Sequence, residues 1–431
     1  MSKQIFKNNR LLSLKSTDIS YLIKNTFWYG LLNSIYSLSL FLLVPYMTGK
    51  LSPHDYGLYS LYILLLTIIS PIIGCGLSQS IMRARVDIDQ NSQFPQYVSS
   101  SLLLLFIIFS TSLVLVFILS KPLSQLISLP ILILVCATIS AFMLECESIV
   151  HNVLQVEKKP LIFGFWRIFR VCVFFVLVYL GLHQKQSYKT VVYIELFVNL
   201  CSFIACMGWF CKNKLLTFSI NFELAKKAFH YGYPIIFYTV SILAYSTFNR
   251  IFLNYYGSAD DVGFFFTGYQ IGMAMSLVVQ SISQAVMPFS FEWMQNSCLE
   301  VSTQYEQIKK WILVFFGVVA VSMYVLFSLV FDYFIAPTFE VAKTVFPWVI
   351  LAFTLNGIYR LDSFYFFYAK KNQPLALITF VSCCLSFVYN GMLIPQFGIK
   401  GASIALALSY GTTVLLTKAT LSYYRHGFSK I

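Results

Sequence analysis

Long apolar stretches separated by short polar segments run along the whole chain. Twelve can be delimited, at Thr26–Met47, Gly57–Ser80, Val98–Leu119, Pro130–Val150, Leu161–Leu182, Thr190–Cys211, Pro234–Tyr256, Phe264–Phe289, Trp311–Phe331, Val345–Ala369, Leu375–Ile394 and Ala402–Leu421. About 20 apolar residues in helical form cross the roughly 30 Å hydrocarbon core of a bilayer. The pattern therefore predicts an all-α polytopic membrane protein with 12 transmembrane helices. The polar connections are short. The longest one on the outer side, Asp332–Thr344, has no room for a folded domain. In the long central connection Asn221 is a plausible N-cap, and Phe222, Ala225 and Phe229 fall on one helical face. This predicts an amphipathic helix lying at the membrane surface.

A weak internal repeat organises the spans. Lys24-Asn25-Thr26-Phe27-Trp28-Tyr29-Gly30 enters the first span and Lys226-Lys227-Ala228-Phe229-His230-Tyr231-Gly232 enters the seventh. Ser52-Pro53-His54-Asp55-Tyr56-Gly57 follows the first span and Ser258-Ala259-Asp260-Asp261-Val262-Gly263 follows the seventh. The same order recurs six spans apart. It predicts an N-terminal six-helix bundle over 1–211, an amphipathic linker over 212–233 and a C-terminal six-helix bundle over 234–431. Six is even, so both halves enter from the same side, as in parallel-repeat transporters that rock about a central cavity. The bland alternative is that Ser, Asp and Gly are simply common in turns.

Composition agrees with a membrane protein. The chain is 58% hydrophobic and 11% charged, against about 25% charged in soluble domains. Disordered, fibrous and disulfide-scaffold classes are excluded by the same figures. The net charge of +13 would suggest nucleic acid in a soluble protein. Here the basic residues sit between apolar runs. With the N-terminus inside, twenty fall on the inner side and six on the outer, which predicts both termini in the cytoplasm. The polar, basic start predicts no removable signal peptide. The ten cysteines form no CxxC pair. The histidines are scattered singly, no phosphate-binding GxxxxGK[ST] occurs, and Asp87-Ile88-Asp89 reads as a polar loop. No metal, cofactor or catalytic group is expected.

Certain residues resemble the Wzx-type O-antigen and polysaccharide lipid-carrier flippases of the multidrug/oligosaccharidyl-lipid/polysaccharide exporter superfamily. They are Leu51-Ser52-Pro53-His54-Asp55-Tyr56-Gly57 followed by Gly76-Leu77 and Arg83; Asn249-Arg250 before Tyr256-Gly257 and Asp261-Val262-Gly263; Pro288 ending the eighth span; and Pro395-Gln396-Phe397-Gly398-Ile399-Lys400-Gly401-Ala402. Family members often carry Asp where this chain has Asn249. The resemblance implies movement of an undecaprenyl-diphosphate-linked oligosaccharide from the inner to the outer leaflet of a bacterial cytoplasmic membrane. It also implies membrane lipids as surroundings, a polysaccharide polymerase and a chain-length regulator as partners, and no nucleic acid.

Charges inside apolar runs are the candidate functional groups, because an arginine at mid-bilayer costs about 2.5–3.5 kcal/mol on insertion scales. Arg250 and Arg360 lie within spans, Arg167 and Arg170 share a helical face, and Arg83 lies at a span end. A guanidinium holds two phosphate oxygens at once, so these five are the candidate diphosphate ligands, lining a central cavity. For Arg83, Arg167 and Arg170 the competing reading is snorkelling to the surface. Glu145, Glu195 and Asp362 are the candidate ion-coupling carboxylates, with structural pairing as the alternative. Arg360 and Asp362 are two apart and do not face each other on a helix. Three other functions compete with flipping lipid-linked sugars. A cation-coupled multidrug exporter would prefer an acidic cavity. A membrane polymerase or glycosyltransferase would need a longer outer loop. A scaffold would lack a polar seam.

Overall fold

In the computed structural model the described residues are 41–87, 93–217, 219–295, 303–369 and 372–428, with Trp28 and five further positions between 32 and 39. The rest of the Lys24–Gly30 entry motif, Ile88-Asp89 and Cys298 lie outside them. Among the described residues the regular structure is entirely helical. We number the helices α1 (41–50), α2 (Pro53–Gly74), α3 (Leu77–Asp87), α4 (Gln93–Ile118), α5 (Ser120–Ile127), α6 (Ile131–Val156), α7 (Pro160–Gln184) and α8 (Tyr188–Lys212). After the linker come α9 (Phe222–Tyr256), α10 (Ala259–Gly272), α11 (Ala274–Gln295), α12 (Thr303–Phe334), a 3-10 helix (Pro337–Thr344), α13 (Phe346–Tyr368) and α14 (Asn372–Phe428).

Among the described residues eight helices are long and apolar enough to cross a membrane, or nine if the bent pair Pro337–Thr344 and Phe346–Tyr368 forms one span. The chain is a multi-span membrane protein. Several elements differ from the apolar runs. The second run breaks at Cys75 and Gly76, both at positive φ, and α3 continues beyond them. A left-handed residue after the last turn is a common way to end a helix. The eighth run is divided at Met273, and α11 continues to Gln295, past residue 288. The eleventh and twelfth runs join in α14 across Gly398, whose φ of 55° breaks the helical path. The connection between α12 and α13 is largely the 3-10 helix. Nor is the linker helix separate, since α9 runs unbroken for 35 residues, about 50 Å, from the linker through the seventh run.

Helices α2, α3, α4, α7 and α8 gather around α6, while α9, α10, α11 and α12 gather with α13 and α14. The main contact between these two bundles is α2 against α10, joined by α9. Placement follows burial. The most apolar windows of α2 and α6 are 61% buried, whereas that of α12 is 6% buried and takes the periphery. Helices with this little protein contact leave apolar side chains such as Phe106, Val318 and Leu329 to face lipid.

Candidate functional site at the seam between the bundles

The two S-x-x-D-x-G turns meet at one end of the seam, and linker residues 213–217 and 219–221 lie at the other end of α9. Ser52 caps α2 by accepting a hydrogen bond from the Asp55 amide (3.1 Å), with Pro53 in the first turn. Ser258 caps α10 in a reciprocal box. Its hydroxyl accepts from the Asp261 amide (3.2 Å), and the Asp261 carboxylate accepts from the Ser258 amide (2.9 Å). Both sequences thus solve the same problem of unsatisfied amides at a helix start. Beyond the caps, the turns pack on each other. A Cβ on Gly57 would strike the Ala259 carbonyl, and one on Gly263 would strike the Pro53 carbonyl. Only glycine lets the two backbones approach this closely. His54 Nδ1 lies 3.6 Å from Asp260 Oδ2 beside this contact.

Arg250 lies seven residues before Gly257, about 10 Å along α9 from the turn end. It is 5% exposed. Its Nη1 crosses the seam to donate to the Ser60 carbonyl (3.1 Å) and, at longer range, to the Ser60 hydroxyl (3.4 Å) on α2. Phe266 and Tyr269 of α10 set their rings 5.3 and 5.9 Å from the guanidinium carbon. Among the described residues no carboxylate forms an ion pair with Arg250. The guanidinium is held by one main-chain oxygen, one hydroxyl and two π faces. That leaves donors for which a buried anion would be the strongest partner. Arg250 is thus buried where α9 packs against α2 and α10.

Helix α2 is bound on its other side to α6 and α8. Tyr59 donates to Glu195 Oε2 (3.3 Å), Tyr62 to the Ser140 hydroxyl (3.2 Å) and Ser70 to Glu145 Oε1 (2.5 Å). The Glu145 carboxylate fills the space beside Gly74. Deeper lies a second polar cluster. Arg170 donates to Asn199 Oδ1 (2.6 Å) and stands 3.5 Å from Glu147, which also accepts from Ser202 (3.0 Å). His151 approaches Glu147 at 3.7 Å. Arg167 sits 3.9 Å from the Tyr36 ring centroid. Two of the candidate carboxylates, Glu145 and Glu195, therefore meet α2 through hydroxyl donors, with Arg170 within electrostatic reach of Glu195.

The remaining candidates do not join Arg250. Arg83 is exposed and pairs with Asp87 on its own helix (2.6 Å). Arg360 is half-buried on α13, and its carbonyl accepts from Ser363. Asp362 is buried against Lys309 of α12, with Glu306 3.7 Å from the same ammonium. Spacing argued against an Arg360–Asp362 pair, and the observed partner is on another helix. Lys309 lies on α12, which begins at Thr303, eight residues before the apolar run that starts at Trp311. At the linker end, Ser99 and Ser100 of α4 accept from the Thr217 and Asn221 amides (2.8 and 3.0 Å), tying the linker to the N-terminal bundle. Asn221 caps α9 as its type predicts. Phe222 and Phe229 are exposed, while Ala225 and Ala228 are buried. The buried face of this segment therefore consists of small residues, and the phenylalanines lie off it. Among the described residues no group of three or more His, Cys, Asp or Glu could hold a metal ion.

A family model described as polysaccharide biosynthesis protein matches residues 22–294, a span that contains both turns, Ser60 and Arg250. The chain belongs to the polysaccharide biosynthesis protein family. A protein of the Lsg locus of Haemophilus influenzae is 25% identical over 198 residues, a stretch that covers 44% of this chain and 48% of that protein. The chain thus spans about half the length of this curated relative. Among solved structures, a lipid II flippase MurJ in an inward closed conformation superposes with a TM-score of 0.74 at 14% identity, over 94% of this chain and 87% of that one. An inward-facing multidrug resistance MATE family transporter gives 0.69 at 13% identity, over 92% and 95%. A Pyrococcus furiosus transporter of the MOP superfamily, described as having a binding pocket of reversed polarity, gives 0.64 at 14% identity, over 95% of each chain. The fold is the one shared by MurJ and the MATE transporters.

Of the residues that meet α2 and α10 in this polysaccharide biosynthesis protein, the sequence pattern singles out Arg250, both turns, Glu145 and Glu195. It missed Ser60 as the acceptor across the seam, because a main-chain oxygen has no sequence signature. It also missed Tyr59, whose spacing of three from Tyr56 and Tyr62 on one helical face was an available signal.

Proposed function

We propose that the chain is a flippase that moves an undecaprenyl-diphosphate-linked oligosaccharide, an O-antigen or capsule repeat unit, from the inner to the outer leaflet of the bacterial cytoplasmic membrane by alternating access. The observation that carries this reading is Arg250, a buried guanidinium at the seam with hydroxyl, carbonyl and aromatic neighbours but no acid. Such a group is costly in a bilayer, and ionisable residues kept there mark substrate and ion pathways. The family and the MurJ-like fold support the same reading.

In this account the bundles 1–211 and 234–431 rock about the seam, joined by the 212–233 linker, with both termini in the cytoplasm. The S-x-x-D-x-G turns then face outward. Arg250 takes the diphosphate, with Arg360, Arg170, Arg167 and Arg83 as further basic groups along the path. Glu145 and Glu195, whose hydrogen bonds to α2 support the assignment, couple an ion to its movement, and Asp362 is held by Lys309. No covalent chemistry is required of the protein. The cargo passes to a polysaccharide polymerase and its chain-length regulator on the far side. An exporter of cationic drugs would place a carboxylate where Arg250 stands. Deleting the gene in its native host tests the proposal. A lipid-linked saccharide should accumulate on the cytoplasmic leaflet, and failure of any to accumulate would overturn it.

A further inference from the structure

Arg250 is both the proposed headgroup ligand and a bond that closes the seam. Its Nη1 is donated to the Ser60 carbonyl, 190 residues away on the other bundle. That acceptor is neutral, and the ring faces of Phe266 and Tyr269 are neutral too. Beyond Ser60 toward the turn end, the seam closes on Gly57 against Ala259 and Gly263. We infer that Arg250 is the latch of the turn-end closure, and that a lipid diphosphate opens it by taking the guanidinium away from Ser60.

The physical reason is competition for the position of one guanidinium. A guanidinium binds a diphosphate through charge-assisted, bidentate hydrogen bonds, about twice as strong as neutral ones. A diphosphate that draws the guanidinium toward itself through the free donors therefore breaks the Nη1 bond to the Ser60 carbonyl and frees α2 from α9. The loss falls on the closed state, because parting α2 from α9 parts Arg250 from Ser60. A ligand that interacts differently with two states shifts their populations. An uncharged lipid of the same length leaves the latch in place, so opening depends on the headgroup. This inference rests on the flippase reading and adds the step by which cargo controls the closure.

The test uses the full chain in lipid nanodiscs with its native cysteines replaced, and with His54→Cys and Asp260→Cys as reporters beside the glycine contact. Copper phenanthroline cross-links the pair when the turn end is closed. Undecaprenyl diphosphate should slow cross-linking at least threefold, while undecaprenol and inorganic pyrophosphate should not. In Arg250→Met the lipid effect should vanish, and in Arg250→Lys it should be reduced. Native mass spectrometry on the same samples records binding. Binding to the parental chain without slower cross-linking would overturn the latch alone, as would an equal effect of the lipid in Arg250→Met. Absence of binding would overturn the flippase reading together with the latch. If Arg250→Met fails to fold, Arg250→Lys decides, and an undiminished response there would contradict the inference.

Discussion

Gly57 and Gly263, the closing glycines of the two repeated turns, lie against one another across the seam, each filling the place a side chain would take beside the other turn. The pairing explains why both turns end in glycine. A bulkier residue at either position must force α2 from α10. Gly57→Val and Gly263→Val should each reduce transport to a small fraction of parental at normal membrane abundance. Gly208→Ala, where no atom lies within 4 Å of the added carbon, should leave transport unchanged. Complementation of a deletion strain, with immunodetection of the protein, checks both. Parental transport by both valine variants would contradict a tight closure here.

Glu195 and Tyr59 link the N-terminal bundle to the helix that carries the Ser60 acceptor. If this link couples an ion to the seam, Glu195→Gln should abolish the dependence of transport on the ion gradient without loss of lipid binding. Tyr59→Phe should weaken that dependence, about two- to tenfold, because one hydrogen bond is worth about 1 kcal/mol. Flux in proteoliposomes under imposed proton and sodium gradients makes the measurement. Unaltered gradient dependence in Glu195→Gln would remove this carboxylate from the coupling role.

Lys309 and Asp362 form a buried pair between α12 and α13. Removing one partner strands the other charge, at a cost of about 3–5 kcal/mol. Lys309→Met should therefore lower thermal stability strongly in detergent, and adding Asp362→Asn should recover most of the loss. Should Asp362→Asn alone abolish transport at parental stability, this carboxylate would return to the coupling set.

Glu157, at the linker-side end of α6, joins α3 through Arg85 (2.6 Å) and also accepts from Lys159 (2.7 Å). Burial alone would push its carboxyl up, but the hydrogen bonds and charges of Lys159 and Arg85 outweigh that and hold it below the ordinary range. A depressed folded-state value contributes stability above the unfolded value of about 4.3, and the contribution is lost as pH falls through the folded value. Glu157→Gln should thus cost about 1 kcal/mol at pH 7 and progressively less below pH 4. Thermal unfolding at both pH values checks this. An equal penalty at the two would argue against the ion pair.

The apolar pattern revealed the all-helical membrane fold because hydrocarbon demands long uninterrupted runs. It located Asn221 as a cap and both S-x-x-D-x-G turns, since those residues act within one turn of themselves. Breaks inside apolar runs were harder to see. Cys75-Gly76 and Gly398 change direction through positive φ, which hydropathy does not register. Partners were least legible. Lys309 with Asp362, Arg170 with Glu147 and Arg250 with Ser60 each join separate helices, and no periodicity within one helix specifies them. The five arginines were expected around one cavity. Their surroundings differ instead, from the exposed Arg83 to the sealed Arg250.

The central claim is that the buried guanidinium at the seam serves a diphosphate-linked sugar. It is tested most directly by measuring the leaflet distribution of lipid-linked oligosaccharide in spheroplasts of the native host that carry Arg250→Ala, Arg250→Lys or the parental chain at equal abundance. The account predicts cargo retained on the cytoplasmic leaflet with Arg250→Ala, partial export with Arg250→Lys and full export with the parental chain. Export by Arg250→Ala at the parental rate would contradict it.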